Sequence, residues 1–382
     1  MHDRSVLGPA DVDDARLAAL VAAALGVADE VELLSSRAEV VAYDIEAITT
    51  AGRYRVTGRA RHGGGTADFA FFVKVVQSWS RTPAFAFVPE ALREFALAAF
   101  PFEAEPRVYR SDLADRLPPG LTMPRAHAVI DLDAESTALW LDDIPVVAAR
   151  WDRAALVRAA HLLGRLAASA RVRPLATVAD PGQHRTVRTY AEGWLGLQVV
   201  PALHDDHLWS HPVMAAAFDD TLRRDLLAAA DTLPAVVAEL EALPHGASHG
   251  DACTRNLLVA ADRPELVLVD FGFWGPQAYG FDLGQLLLGE VQLGERPAAA
   301  LPDDERACLA AYVEGLRVES CAVDAGTVER GHALQMLLFG ALPSPPFELL
   351  DALPAPAAIE ISRQRATAAR FVLDLVATTA TP

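Results

Sequence analysis

Lysine and asparagine each occur once in the 382 residues, as Lys74 and Asn256, and arginine supplies the other 32 of the 33 basic side chains. Such a bias fits a GC-rich coding sequence that has drifted toward Arg, Ala, Gly and Pro. A Lys or Asn retained against that drift marks a position with a specific chemical demand. Cysteine is also scarce. Cys253, Cys308 and Cys321 cannot form a disulfide framework in so long a chain, and they suit a reducing compartment. No apolar run reaches bilayer length. The one stretch with the texture of a secretory signal, residues 17–27, follows Asp3, Asp11, Asp13 and Asp14, which outnumber Arg4 and Arg16. It lacks a positive leading region and reads as an amphipathic helix. There is no basic run, and the formal charge of −18 (33 basic against 51 acidic residues) argues against nucleic acid and against anionic membranes. The expectation is a cytoplasmic protein with neither as a partner.

The hydrophobic content of 52% can fill more than one core. Alternating runs at 40–48, 53–61 and 68–76, with Gly63-Gly64-Gly65 between the last two, predict a three-stranded antiparallel meander. Helical patterns follow at 89–99 and 103–117, the second interrupted by Pro106, and then strand-like runs at 126–132 and 138–141. Beyond Trp151 the pattern is mainly helical, at 153–171, 212–230, 233–243, 303–318, 325–339 and 359–377. Short β-like runs at 257–260 and 266–269 interrupt it. An α+β protein results, with a small sheet-bearing lobe and a larger helical one.

The chemistry is concentrated in Ser248-His-Gly-Asp-Ala-Cys-Thr-Arg-Asn256, followed by the apolar run ending in Val269-Asp270-Phe271-Gly272. His249, Asp251 and Asn256 have the spacing H-x-D-x-x-x-x-N, and Asp270 closes a strand. Kinase catalytic loops have this order. Mg²⁺ takes hard oxygen ligands, which Asn256 and Asp270 offer, leaving Asp251 to receive a proton from an acceptor hydroxyl. A His-Gly-Asp tripeptide alone could be a capped turn; the downstream Asn and the strand-end Asp separate the two readings. Lys74 lies within the apolar strand 70–76. A lysine there could snorkel to solvent, but a kinase needs a cation for the nucleotide phosphates on a small-lobe strand, held by a helix carboxylate. Glu103 and Glu105 are the candidate partners. Glu105 is preferred because it leads into a Val108/Tyr109 pair suited to face the core.

These residues resemble the aminoglycoside phosphotransferase family of small-molecule kinases. The resemblance runs from the lysine strand, through Glu105-Pro-Arg-Val-Tyr-Arg110 and Leu139-Trp-Leu-Asp-Asp143, to Gly280-Phe-Asp282-Leu283. It implies a two-lobed protein kinase-like fold, with residues 1–141 as the N-terminal lobe, 142–146 as hinge and 147–382 as the C-terminal helical lobe. It also implies ATP and Mg²⁺ between the lobes, adenine against the backbone of Leu141–Ile144 with Asp142 and Asp143 among the nucleotide-binding residues, and His249 and Asp282 steadying the catalytic loop. Gly250 replaces the Arg of protein kinases, and 270–282 is too short for an activation loop, so a protein substrate is not expected. No G-x-G-x-x-G precedes the lysine strand; Thr49 and Thr50 are left as candidates to meet the phosphates. Residues 78–88 read as an insertion without an assigned role.

Two further groups carry suggestive side chains. His204, Asp205, Asp206, His207 and His211 have metal-ligand chemistry, with imidazoles at one helical spacing, but Pro201 and Pro212 bracket them and a surface turn explains them. Cys253 has no base at nucleophile spacing and reads as packing. The acceptor is the open question. The charge of −18 favours a cationic aminoglycoside or amino-sugar hydroxyl compound; a metabolite kinase for sugars or amino alcohols, and a catalytically silent nucleotide-binding pseudokinase, are the alternatives.

Overall fold

The computed structural model describes residues 2–28, 30–42, 47–350 and 352–380. Strands β1 (His2–Asp3), β2 (Glu32–Val40), β3 (Thr50–His62) and β4 (Gly65–Gln77) precede β5 (Leu121–Thr122), β6 (Ala126–Asp133) and β7 (Ser136–Asp142). Six of them form one sheet in the order β1-β2-β3-β4-β7-β6. The meander is present, but its first strand is Glu32–Val40 and not 40–48. Residues 43–46 of the expected run lie outside the described residues. β2 was obscured because its register shifts between Leu33 and Ser35 and its buried residue is the polar Ser36, which bonds His2 and Arg4. A bulge with a polar interior position breaks the apolar alternation that marks a strand.

Alternation works as expected in β4. Phe69, Phe71, Val73 and Val75 enter a small-lobe core with Val56, Trp140 and helix Asp14–Leu25. The opposite face, with Phe72 and Lys74, looks toward the larger core. β7 divides the same way: Ala138 and Trp140 belong to the first core, Leu139 and Leu141 to the second. The cleft therefore has a sheet face as its roof, and Lys74 pairs in register with Leu139.

Pro106 does not interrupt a helix. It sits in the first turn of helix Ala104–Arg110, where its missing N–H is not needed. The break comes after Arg110, before a short helix Leu113–Arg116. Both helices pack in the larger core, as do Leu121 and Met123, so the two apolar cores do not divide at residue 141. The expected 212–230 helix is likewise two helices, Pro212–Ala215 and Asp220–Asp231, the second capped by Asp219, whose side chain accepts the Leu222 N–H at 2.8 Å.

In the helical lobe, Arg153–Ala168 packs against Leu301–Val318. Gly164 and Gly315 make this approach possible: a Cβ on Gly164 would lie 2.2 Å from the Tyr312 carbonyl oxygen, and one on Gly315 2.1 Å from that of His161. Strands β8 (His245–Ser248), β9 (Leu257–Val259), β10 (Leu266–Leu268) and β11 (Gly275–Ala278) form small sheets, β5-β10-β9 and β11-β8. They frame the segment rich in His, Asp and Asn. Among the described residues, no helix is long and apolar enough to cross a membrane.

Candidate active site

β8 delivers His249, Gly250 and Asp251 into the cleft, and Asp282 holds the turn. Its carboxylate accepts hydrogen bonds from Ser248 Oγ (2.9 Å), His249 N–H (3.0 Å) and Gly250 N–H (2.9 Å). Gly250 has φ +82°, and an ideal Cβ there would lie 2.0 Å from the Phe273 carbonyl oxygen. An Arg at this position, as protein kinases have, would not fit beneath the β11 side of the loop. His249 is fully buried; its Nε2 donates to the Val269 carbonyl at 3.0 Å, tying the loop to the strand end before Asp270. Burial raises the Asp282 carboxyl even though His249 and three donors act to lower it.

Asn256 folds back on Asp251. Its Nδ2 donates to the Asp251 main-chain oxygen and to Oδ2, both at 2.9 Å, which leaves the amide oxygen as the free acceptor. Burial lifts the Asp251 carboxyl above its ordinary value; His249, the Asn256 hydrogen bond and Arg185 oppose this, while Asp270 adds to it. Asp270 itself adopts the left-handed region, φ +65°, at the end of the apolar strand. A non-glycine residue with this backbone is strained and turns its carboxylate off the strand line.

The sheet roof meets this loop through ions. Lys74 Nζ lies 2.6 Å from Glu105 Oε2 and 3.1 Å from Asp270 Oδ1. Lys74 and Glu105 are buried, at 5% and 3% exposure, so neither charge is tolerable alone. Burial would lower the Lys74 ammonium, but Glu105 and Asp270 together raise it. Burial would raise Asp270, but Lys74 holds it below the ordinary range and keeps it ionised. For Glu105 burial prevails over Lys74, and its carboxyl is raised. Helix Ala104–Arg110 is docked by Tyr109, whose ring meets Phe271 edge-on at 5.7 Å; Phe271 also packs on His249 at 5.2 Å. One aromatic residue thus couples helix, strand end and loop.

The other expected positions are less central. Thr49 accepts the Gln77 N–H at 2.9 Å and Thr50 pairs with Val76, both at the mouth of the β3–β4 hairpin beyond Lys74. Asp142 accepts from His127 Nε2 (2.7 Å) and the Arg125 N–H (3.0 Å), and Asp143 pairs with Arg55 at 2.8 Å. Those carboxylates are spent within the small lobe. The histidine cluster is a set of helix caps: Asp205 accepts the His207 N–H at 2.8 Å, and His211 Nδ1 accepts the Val213 N–H at 3.2 Å. His204 and His207 lie in separate short helices, Val200–His204 and Asp206–Trp209, and His211 caps a third, Pro212–Ala215, so the single helical spacing does not apply. No group of three or more His, Cys, Asp or Glu side chains suited to a metal occurs among the described residues. Burial pushes the Cys253 thiol up to about 12, and it stays protonated.

Arg185 escaped the sequence reading, being one of 32 arginines in a segment without motif. Its guanidinium stacks over the Phe273 ring at 3.3 Å, bonds the Gly272 carbonyl, and feels both Asp251 and Asp270. Burial pushes it down to about 9, still protonated at neutral pH. Beside it a cavity of about 710 Å³ opens from Gly250 and Asp251 between residues 79–100 and the helices 187–199.

Two lobes with ionic side chains from both meeting in the cleft are the architecture of a kinase-like phosphotransferase. The profile of the phosphotransferase enzyme family (APH) matches residues 80–315, well over half of the chain, and the chain belongs to that family. Comparison with curated protein sequences gives no significant match. Among solved structures, it is similar to an amicoumacin kinase in complex with AMP-PNP, Ca²⁺ and its ligand (14% identity, 88% of each chain covered, TM-score 0.47). It is also similar to an aminoglycoside phosphotransferase from Streptomyces rimosus (18% identity, 86% of this chain and 99% of that one, TM-score 0.38). A third is an ethanolamine kinase from Plasmodium vivax (11% identity, 90% and 84%, TM-score 0.45).

Proposed function

We propose that the chain transfers the γ-phosphoryl group of ATP to a hydroxyl of a small molecule, with Mg²⁺, and that it acts in the cytoplasm. The observation that carries this reading is the meeting of two sets: Asp251 with Asn256 from the loop, and Lys74 with Glu105 and Asp270 across the cleft. In the step, the acceptor oxygen bonds the γ-phosphorus, the β–γ bridging bond breaks, ADP leaves, and the hydroxyl proton passes to Asp251. The Asp251 carboxyl, lifted by burial, is a better proton acceptor than an exposed aspartate. Lys74 offers the cation for the α- and β-phosphates, and Glu105 orients it. The ionised Asp270 and the free amide oxygen of Asn256 are hard donors that would hold Mg²⁺. Bound there, the metal supplies charge neutralisation of the phosphates. The side chains of Asp142 and Asp143 are occupied, so adenine recognition on 142–146 falls to main-chain groups. Asp282 and His249 position the loop.

Titration calorimetry with AMP-PNP tests this reading. Mg²⁺ should tighten binding by about tenfold or more in the wild type and have little effect in Asp270→Asn. Nucleotide binding indifferent to Mg²⁺ in the wild type, or none at all, would refute it.

A further inference from the structure

We infer that the acceptor is an uncharged alcohol with a bulky apolar or aromatic body, held in the cavity that opens from Asp251. The inference rests on the phosphotransferase reading and names its acceptor class. The cavity, about 710 Å³, has the size that encloses a drug-sized ligand. It reaches the cleft at Gly250 and Asp251, so a hydroxyl presented there carries the rest of its molecule into the cavity.

One wall comes from residues 79–100, with Trp79, Phe87, Phe95 and Phe100; the other comes from helix Ala191–Val199, with Trp194 and Leu197. The first wall is built and held: Trp79 meets Phe85 and Phe100 edge-on at 5.6 and 5.3 Å. Residues 78–88, which the sequence left without a role, therefore form part of a binding surface. Phe87, Trp194 and Leu197 are 88%, 52% and 47% exposed. Apolar side chains left in water and converging on one cavity mark a surface that something apolar covers.

The charges exclude the acceptor suggested by composition. Among the described lining residues Asp251 is the sole carboxylate, and the nearby ion is the guanidinium of Arg185. A polycationic aminoglycoside would bring several ammonium groups out of water without carboxylates to receive them, beside a like charge. An aromatic wall can also hold a quaternary ammonium, but Arg185 already lies over Phe273 at 3.3 Å and Phe100 at 5.5 Å and sets a like charge within the same lining. Thr189, Gln198, Gln277 and Gln285 supply neutral donors and acceptors for hydroxyl or carbonyl groups. The charge of −18 lies mostly elsewhere on the surface and does not describe the pocket.

The test uses the neutral fluorophore prodan, titrated into the full-length protein saturated with AMP-PNP and Mg²⁺, with kanamycin and choline as competitors. Trp194→Asp and Leu197→Asp alter half-exposed positions, and unchanged nucleotide affinity verifies their folding. Saturable binding of one prodan, weakened about tenfold or more in both variants and not displaced by millimolar kanamycin or choline, supports the inference. Absence of saturable binding, indifference to both substitutions, or displacement by either cation overturns it. ADP release driven by kanamycin or choline and abolished by Asp251→Asn would also overturn it while leaving the phosphotransferase reading intact. Failure to bind AMP-PNP would instead strike that reading.

Discussion

Replacing Lys74 with Met keeps the length of the side chain and removes its charge from between two carboxylates. At an effective dielectric constant of 20, the 2.6 Å contact with Glu105 and the 3.1 Å contact with Asp270 correspond to gross attractions of about 6 and about 5 kcal/mol. Most of each offsets the desolvation of buried ions, so the net loss is far smaller than their sum. Removing one partner of a buried pair costs about 3 to 5 kcal/mol when the other charge is stranded. Here Glu105 already has a raised carboxyl and can take up a proton, which relieves part of the strain. The expected destabilisation of Lys74→Met is about 2 to 4 kcal/mol at pH 7, measured by urea unfolding. In the double variant Lys74→Met/Glu105→Leu at least half of this should return, because neither buried partner of that pair remains charged. Phosphoryl transfer should behave differently. It should fall at least about 100-fold in the single variant and stay there in the double, since the phosphates still lack their cation. Recovery of transfer with stability, or a single variant that loses neither, would refute the reasoning.

Three other outcomes follow from the same geometry. Gly250→Ala introduces a side chain at φ +82° against the Phe273 carbonyl, and should cost about 1 to 3 kcal/mol in urea unfolding along with most of the transfer activity. Because burial lifts Asp251 and only the ionised base accepts a proton, kcat/KM should decline on the acid side with a midpoint above the ordinary aspartate value of about 3.9; Arg185→Met, removing a lowering charge, should move that midpoint to higher pH. Glu305, its Oε1 without a hydrogen bond among the described residues, is raised by burial from 4.5 to about 7. A folded-state pKa above the unfolded one contributes stability that is full below pH 4.5 and is lost as pH rises through about 7, so Glu305→Gln should raise Tm more at pH 8 than at pH 5.

What the sequence disclosed was whatever lies close along the chain or is chemically rare. His249, Asp251 and Asn256 fall within one loop bounded by strands, so their spacing carries their geometry. Lys74 stood out because no other lysine competes with it, and the period of β4 was clear because its buried face is unbroken Phe and Val. The two-lobed α+β class followed from the change of period near Trp151. The first strand was displaced because a bulge and the buried Ser36 hid its alternation, and Pro106 misled because a helix start tolerates what a helix interior rejects. Arg185 and the aromatic cavity were illegible for another reason. Their parts come from residues 79–100, 185–199 and 273–285, and only the fold brings them against Asp251. Composition alone could not specify the acceptor, since net charge averages a surface while recognition depends on one wall of it.

Asp251→Asn keeps the size of the side chain and the Asn256 contact but removes the base. With radiolabelled ATP, Mg²⁺ and an acceptor phosphorylated by the wild type, the variant should bind AMP-PNP unchanged and transfer phosphoryl at least about 100-fold more slowly. Transfer within threefold of the wild type would place the proton acceptor elsewhere and contradict the account.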